Sequence, residues 1–152
     1  MTSIEPDVLE RLIDAARAIR ANAHAPYSGF HVGAALLTGD DIVAAVNVEN
    51  ASYPLSVCAE RNAVAMAVAA GAASRVRAIA IVTDADAPTP PCGGCRQVLF
   101  EFGGPGMAVI AASSDGSVRT HWSLDELLPD AFGPRDLGPR DLGPSDLDRP
   151  GR

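Results

Sequence analysis

Apolar positions recur along this chain with the two periods that mark helices and strands. Over residues 4–23 the period is helical: Val8, Leu12, Ala15, Ala16 and Ile19 share one face, with Glu10, Arg11, Asp14 and Arg17 largely off it. His24-Ala25-Pro26-Tyr27-Ser28-Gly29 breaks that pattern. Residues 30–37 then read as a strand, turned by Thr38-Gly39-Asp40-Asp41 into a second strand over 42–48, a hairpin with a four-residue connection. Residues 57–70 predict a mostly buried helix, poor in charge after Arg61. Residues 76–83 form an apolar, β-branched run that fits a central strand. A proline-broken loop over 84–91 leads to a second buried helix over 92–102, closed by Gly103-Gly104. Two more strands, over 107–112 and 117–121, flank Ser113, Asp115 and Gly116, and Ser123 caps a short helix through Leu128.

The order αββαβαββα predicts an α/β fold: a three-layer α/β/α sandwich around a mixed sheet of about five strands. Ligands of such sheets sit at strand ends, where helix N-termini converge. The 152 residues allow one domain, expected over 1–132, with a core large enough to need no staples. The remainder, 133–152, is different. Gly133-Pro134-Arg135-Asp136-Leu137 recurs over 138–142 and, with Ser145, over 143–147. The period is too short for a solenoid unit, so a flexible low-complexity tail is expected.

Alanine supplies much of the 47% apolar content and aromatics are only 5%, a composition that suits further burial by oligomerisation. The net charge of −7 argues against a polynucleotide partner, which is held by neutralising phosphates, but not against a neutral nucleoside. No secretory signal and no apolar run long enough to cross a bilayer is visible, so a cytoplasmic protein without membrane contact is expected. Three cysteines cannot all pair, and a Cys-x-x-Cys in such a chain points to metal or redox chemistry.

Those three cysteines carry the most information. Cys58-Ala59-Glu60 is followed by Pro91-Cys92-Gly93-Gly94-Cys95. Three thiolates and a neighbouring carboxylate match a catalytic zinc site, with three protein ligands, an open position for water and an acid/base beside it. A structural site would need a fourth ligand, and no residue stands at that spacing. Cys58 and Cys92 each begin a predicted helix, so free backbone N–H groups and a partial positive charge face the thiolates. Three thiolates around Zn²⁺ leave a net charge of −1, which raises the pKa of bound water. The helix dipoles oppose this, and Arg61 and Arg96 are placed to help. Cys-x-Glu with Pro-Cys-x-x-Cys is the signature of the zinc deaminases, in which the glutamate is not a ligand. A redox pair at Cys92 and Cys95 is the weaker alternative, because it leaves Cys58 and Glu60 without work.

Around this signature the chain resembles the cytidine deaminases of the small, homotetrameric class. The resemblance runs from about Pro26 to Pro134. It rests on Pro26-Tyr27-Ser28-Gly29-Phe30-His31-Val32-Gly33-Ala34-Ala35-Leu36, on Asn47-Val48-Glu49-Asn50-Ala51-Ser52-Tyr53, on Cys58-Ala59-Glu60-Arg61, on Pro91-Cys92-Gly93-Gly94-Cys95-Arg96-Gln97 and on Glu126-Leu127-Leu128-Pro129 with Phe132-Gly133-Pro134. It implies one zinc per subunit on Cys58, Cys92 and Cys95, and hydrolytic deamination of cytidine and 2′-deoxycytidine in pyrimidine salvage. Zinc hydroxide would attack C4 while Glu60 shuttles the proton. Asn47 and Glu49 would bind the ribose 3′-hydroxyl and Phe30 would flank the base. Ala59 would be a further substrate contact. Ala51, Tyr53 and Phe132 would reach the nucleoside from neighbouring subunits of a homotetramer.

Read from the residues alone, Asn47 and Glu49 are a polar pair on one side of a strand end, and Phe30 opens a strand. His24, His31 and His121 have no metal spacing and read as structural, and Trp122 as packing. A blasticidin S-type deaminase shares the zinc signature. It is told apart by the sugar-recognition pair. A structural zinc or partner-binding module, the non-enzyme alternative, would need four protein ligands and no role for Glu60.

Overall fold

The computed structural model describes residues 4–73 and 76–137, and its elements follow the predicted order. They are α1 (Pro6–Ile19), β1 (Val32–Thr38), β2 (Asp41–Val46), α2 (Ala59–Ala69), β3 (Val76–Thr83), α3 (Gly93–Gly103), β4 (Ala108–Ala112), β5 (Arg119–Ser123) and α4 (Leu124–Leu127). The strands form one mixed sheet in the order β2-β1-β3-β4-β5. Only β3 and β4 are parallel, joined through α3; the other pairs are antiparallel.

Strand alternation divides the core in two. Ala34, Leu36, Ile79, Ile81 and Val109 face α2 and α3, and pack with Ala63, Val64 and Leu99. Ala35, Leu37, Ala78, Ala80, Val82 and Ile110 face α1, and meet Leu12, Ile13 and Ala16. This is the three-layer arrangement the pattern predicts. Burying Leu12 and Ile13 completely contributes about 1.5–3 kcal/mol each. The layer facing α1 is rich in alanine, so the helix approaches the sheet closely. At Gly33 the approach is limiting: a Cβ there would stand 2.0 Å from the backbone oxygen of Ala16.

Element ends differ from the pattern where local chemistry intervenes. Pro6 starts α1 inside the predicted span, since a missing N–H costs nothing in the first turn. The helix tightens into a 3₁₀ turn over Arg20–Asn22. The hairpin connection is two residues, not four: Thr38 pairs with Asp41, and Gly39 takes φ +62 in the tight turn. β5 begins two residues late because Asp115 accepts from the N–H and hydroxyl of Ser117 and the hydroxyl of Ser113, which holds 113–117 as a turn. Ser123 and Glu126 close a capping box on α4.

The expected burial of the two central helices also needs correcting: of α3, Cys95 and Leu99 are the fully buried residues. α2 is buried on one side only, and Met66 and Val68, on the two flanks of that buried face, are 51% and 50% exposed. In the repeat region, Pro134–Leu137 forms a 3₁₀ turn whose Gly133 N–H donates to the Asp136 carboxylate. The rest of the predicted tail lies outside the described residues.

Candidate active site

Register brings the site together. Val32 pairs with Thr83 and Gly33 with Val46, so the start of β1 and the ends of β2 and β3 share one sheet edge. A cavity of about 220 Å³ opens there, lined among others by Phe30, Asn47, Cys58, Glu60, Thr83 and Cys92. Cys58 is the N-cap of α2 and Cys92 the N-cap of α3, both with extended backbone. The first N–H groups of both helices therefore point at the sulfurs' surroundings without intrahelical partners.

The Sγ atoms of Cys58, Cys92 and Cys95 lie within 4.8 Å of one another, and those of Cys92 and Cys95 are 3.5 Å apart. Tetrahedral zinc with Zn–S bonds of about 2.3 Å holds its sulfurs about 3.8 Å apart, so the triangle fits that ion with little adjustment. Thiol chemistry agrees. A hydrogen bond from Cys95, with a smaller one from Cys92 and the charge of Arg61, draws the Cys58 thiol down, against burial and the Glu60 carboxylate. The Cys95 thiol is pushed up, first by its bond to Cys58, then by burial. The two thiols are thus driven in opposite directions when no ion is bound, and a divalent cation is what makes three thiolates favourable together. Among the described residues the cluster comprises these three sulfurs alone.

Glu60, in the first turn of α2, is 5% exposed and lines the same cavity. Burial pushes its carboxyl up, opposed by its own backbone N–H and by the Cys95 thiol. The two arginines part company. Arg61 is exposed, and its charge favours the Cys58 thiolate. Arg96 spends its guanidinium on the carbonyls of Pro91 (2.8 Å) and Leu127 (2.7 Å), bracing the cysteine loop against α4.

Asn47 lines the cavity and clamps one wall: its Oδ1 accepts from Val32 N–H at 2.8 Å and its Nδ2 donates to Phe30 O at 2.8 Å. Glu49 does not line it. Its carboxylate accepts from the Ser28 hydroxyl, which does most to lower its pKa, and from the N–H groups of Tyr27 and Ser28, and these bonds tie down the loop before Phe30. Phe30 is 41% exposed at the cavity rim. Ala59 has its side chain in the core, so only its backbone is available to a ligand. Ala51, Tyr53 and Phe132 lie on the surface, outside this chain's own cavity. Tyr53 packs against Tyr27 at 5.8 Å, and Gln97 holds the Phe132 carbonyl at 2.8 Å. None of the three histidines lines the cavity; the His31 ring bonds Asp84 at 2.8 Å. Sequence reasoning missed Thr83 and Thr89 in the wall. A polar residue ending an otherwise apolar central strand was the available signal for Thr83; nothing local distinguished Thr89.

Comparison with known proteins gives a consistent pattern. The family model for the cytidine and deoxycytidylate deaminase zinc-binding region matches residues 6–112. A cytidine deaminase of Sporosarcina psychrophila is 42% identical over 130 residues, covering 85% of this chain and 94% of that protein. One from Mycobacterium tuberculosis is 46% identical over 118 residues, covering 77% and 84%. The crystal structure of cytidine deaminase from Burkholderia pseudomallei superposes with a TM-score of 0.77 at 47% identity, covering 81% of this chain and 98% of that one.

Proposed function

The chain belongs to the cytidine and deoxycytidylate deaminase family, and on that premise we propose that its cavity takes cytidine or 2′-deoxycytidine and converts it with water to uridine or 2′-deoxyuridine and ammonia. One observation carries this reading. Glu60 is a nearly buried carboxylate in the wall of a small cavity, two residues from a three-sulfur cluster to which it does not belong. Zinc, held by Cys58, Cys92 and Cys95, supplies Lewis acidity that makes water a nucleophile near neutral pH.

Glu60 takes a proton from the water as its oxygen bonds to C4, and gives that proton to N3. It then moves the proton of the new C4 hydroxyl to the amino group, and ammonia leaves as the C4–N bond breaks. The carboxylate ends as it began, which is why it must stand beside the metal ligands and not among them. Asn47 has one amide N–H left after its bond to Phe30 O, and with Glu49 it is our candidate for the ribose hydroxyl. Phe30 offers a ring at the rim for the base, and the N–H of Ala59, which has no intrahelical acceptor at the start of α2, offers it a donor.

The same reading includes an oligomer. Met66 and Val68 on α2, with Tyr53, Leu55 and Phe132, leave large apolar side chains exposed on a single chain. A homotetramer would cover them and bring Ala51, Tyr53 and Phe132 to neighbouring sites. The reading also includes a catalytic domain over 1–132 that works without the repeat tail over 133–152. A cytoplasmic place in pyrimidine salvage fits three free thiols and the absence, among the described residues, of a helix long and apolar enough to cross a membrane.

The test is ammonia release from cytidine, deoxycytidine, cytosine and blasticidin S by the purified zinc-loaded protein. Turnover of the two nucleosides is expected. Turnover of cytosine or blasticidin S without the nucleosides would overturn the substrate assignment.

A further inference from the structure

We propose that Thr89 is a specificity residue that donates a hydrogen bond to an acceptor atom of the bound heterocycle, and that Thr83 is a positioning residue that sets the direction of that bond. Both threonines line the cavity. Their hydroxyl oxygens are 3.2 Å apart, and either could be the donor. The surroundings decide which. Thr83 is 1% exposed, and its oxygen already accepts from the N–H of Ala85 at 3.3 Å. Among the described residues, the Thr89 oxygen is the acceptor recorded for the Thr83 proton. If Thr89 donated to Thr83 instead, the Thr83 proton would be buried without a partner, which is the costly arrangement.

The direction that satisfies every group runs from Ala85 N–H to Thr83, and from Thr83 to Thr89. Thr89, half-buried at the cavity wall, then has its own proton free to point into the cavity. A hydroxyl that accepts from Thr83 through one lone pair still has its single proton to give, so it can meet a ligand acceptor as a donor. Thr89 lies in the loop that leads directly into Cys92, on the metal side of the cavity. It lines the same cavity as Cys58, Glu60 and Cys92, the residues placed beside the reacting atoms. From beside the metal ligands the donor addresses the ring that is to react, whose carbonyl oxygen is an acceptor not assigned to Glu60. A ring without an acceptor at that place would leave the oriented hydroxyl unpaired in the wall, and this penalty is the source of selectivity.

The inference rests on the nucleoside reading for its kinetic test and on the hydroxyl geometry alone for its structural one. For the first, the zinc-loaded enzyme and its T89V, T89S, T83V and T83S variants are compared with cytidine. T89V should raise KM about three- to tenfold, the worth of one neutral hydrogen bond, with kcat within about twofold. T83V should do the same without touching substrate, T83S should restore it, and T83V/T89V should be no worse than T89V alone. An unchanged KM in T89V, or a T83V loss that T83S does not rescue, would overturn the proposal. For the second, neutron diffraction from the deuterated wild-type protein should place the Thr83 deuteron on the line to Thr89. A deuteron running from Thr89 to Thr83 would overturn it whatever the substrate proves to be. Failure of wild type on cytidine would instead count against the function.

Discussion

Glu60 has a surface residue's chemistry in a core residue's position. A carboxylate at the start of a helix is ordinarily a solvated partner of the helix dipole. Here it is buried at a cavity wall, and burial favours its neutral form. Both protonation states must be accessible to a group that receives and returns a proton, and the Glu60→Gln variant removes that ability while keeping shape. The variant should retain its zinc, measured as metal per chain, and lose turnover by about 10³-fold or more. Loss of zinc in that variant would make Glu60 a ligand or a folding residue. The three cysteines and Glu60 were legible in the sequence because metal ligation ties residue type to spacing. Glu49 was legible only as a polar strand-end residue. That its carboxylate is engaged by Tyr27 and Ser28 depends on a loop 21–22 positions away in sequence.

At the scale of elements, the helix and strand periods were sufficient to order all nine, because each element buries one face or both. The ends were set by other forces: a proline in the first turn of α1, a glycine with φ +62 in the hairpin, an aspartate that captured the turn before β5. Gly33 shows the limit most clearly. Its sequence context is an unremarked strand position, yet α1 crosses it with no room for a methyl group. Gly33→Ala must move the helix from the sheet and break into a layer that holds Leu12, Ile13 and Ala16. We expect a loss of about 2 kcal/mol or more in denaturant unfolding, or failure to accumulate folded protein. A variant as stable as wild type would show that α1 shifts freely.

At the scale of the whole molecule, the chain keeps its chemistry inside and several apolar side chains outside. Phe132 is 58% exposed although Gln97 and the packing of Gly133 on the Phe100 ring fix its backbone. In the proposed oligomer this ring is one of the exposed apolar side chains that a neighbouring subunit would cover. Within the proposed oligomer, Met66→Glu should lower the sedimentation mass and reduce activity about tenfold or more, while the fold by circular dichroism is retained. An unchanged mass would remove Met66 from the contact. The sequence by itself determined the layer order, the metal-binding triad and the acid beside it, since these follow from periodicity and from ligand spacing within short segments. Only the tertiary structure decided that Thr83 and Thr89 share a wall, that Glu49 serves the Tyr27–Ser28 loop and that Met66 and Val68 of α2 stay exposed. Each of those depends on which surfaces remain uncovered once the sheet has closed, and no local pattern records that.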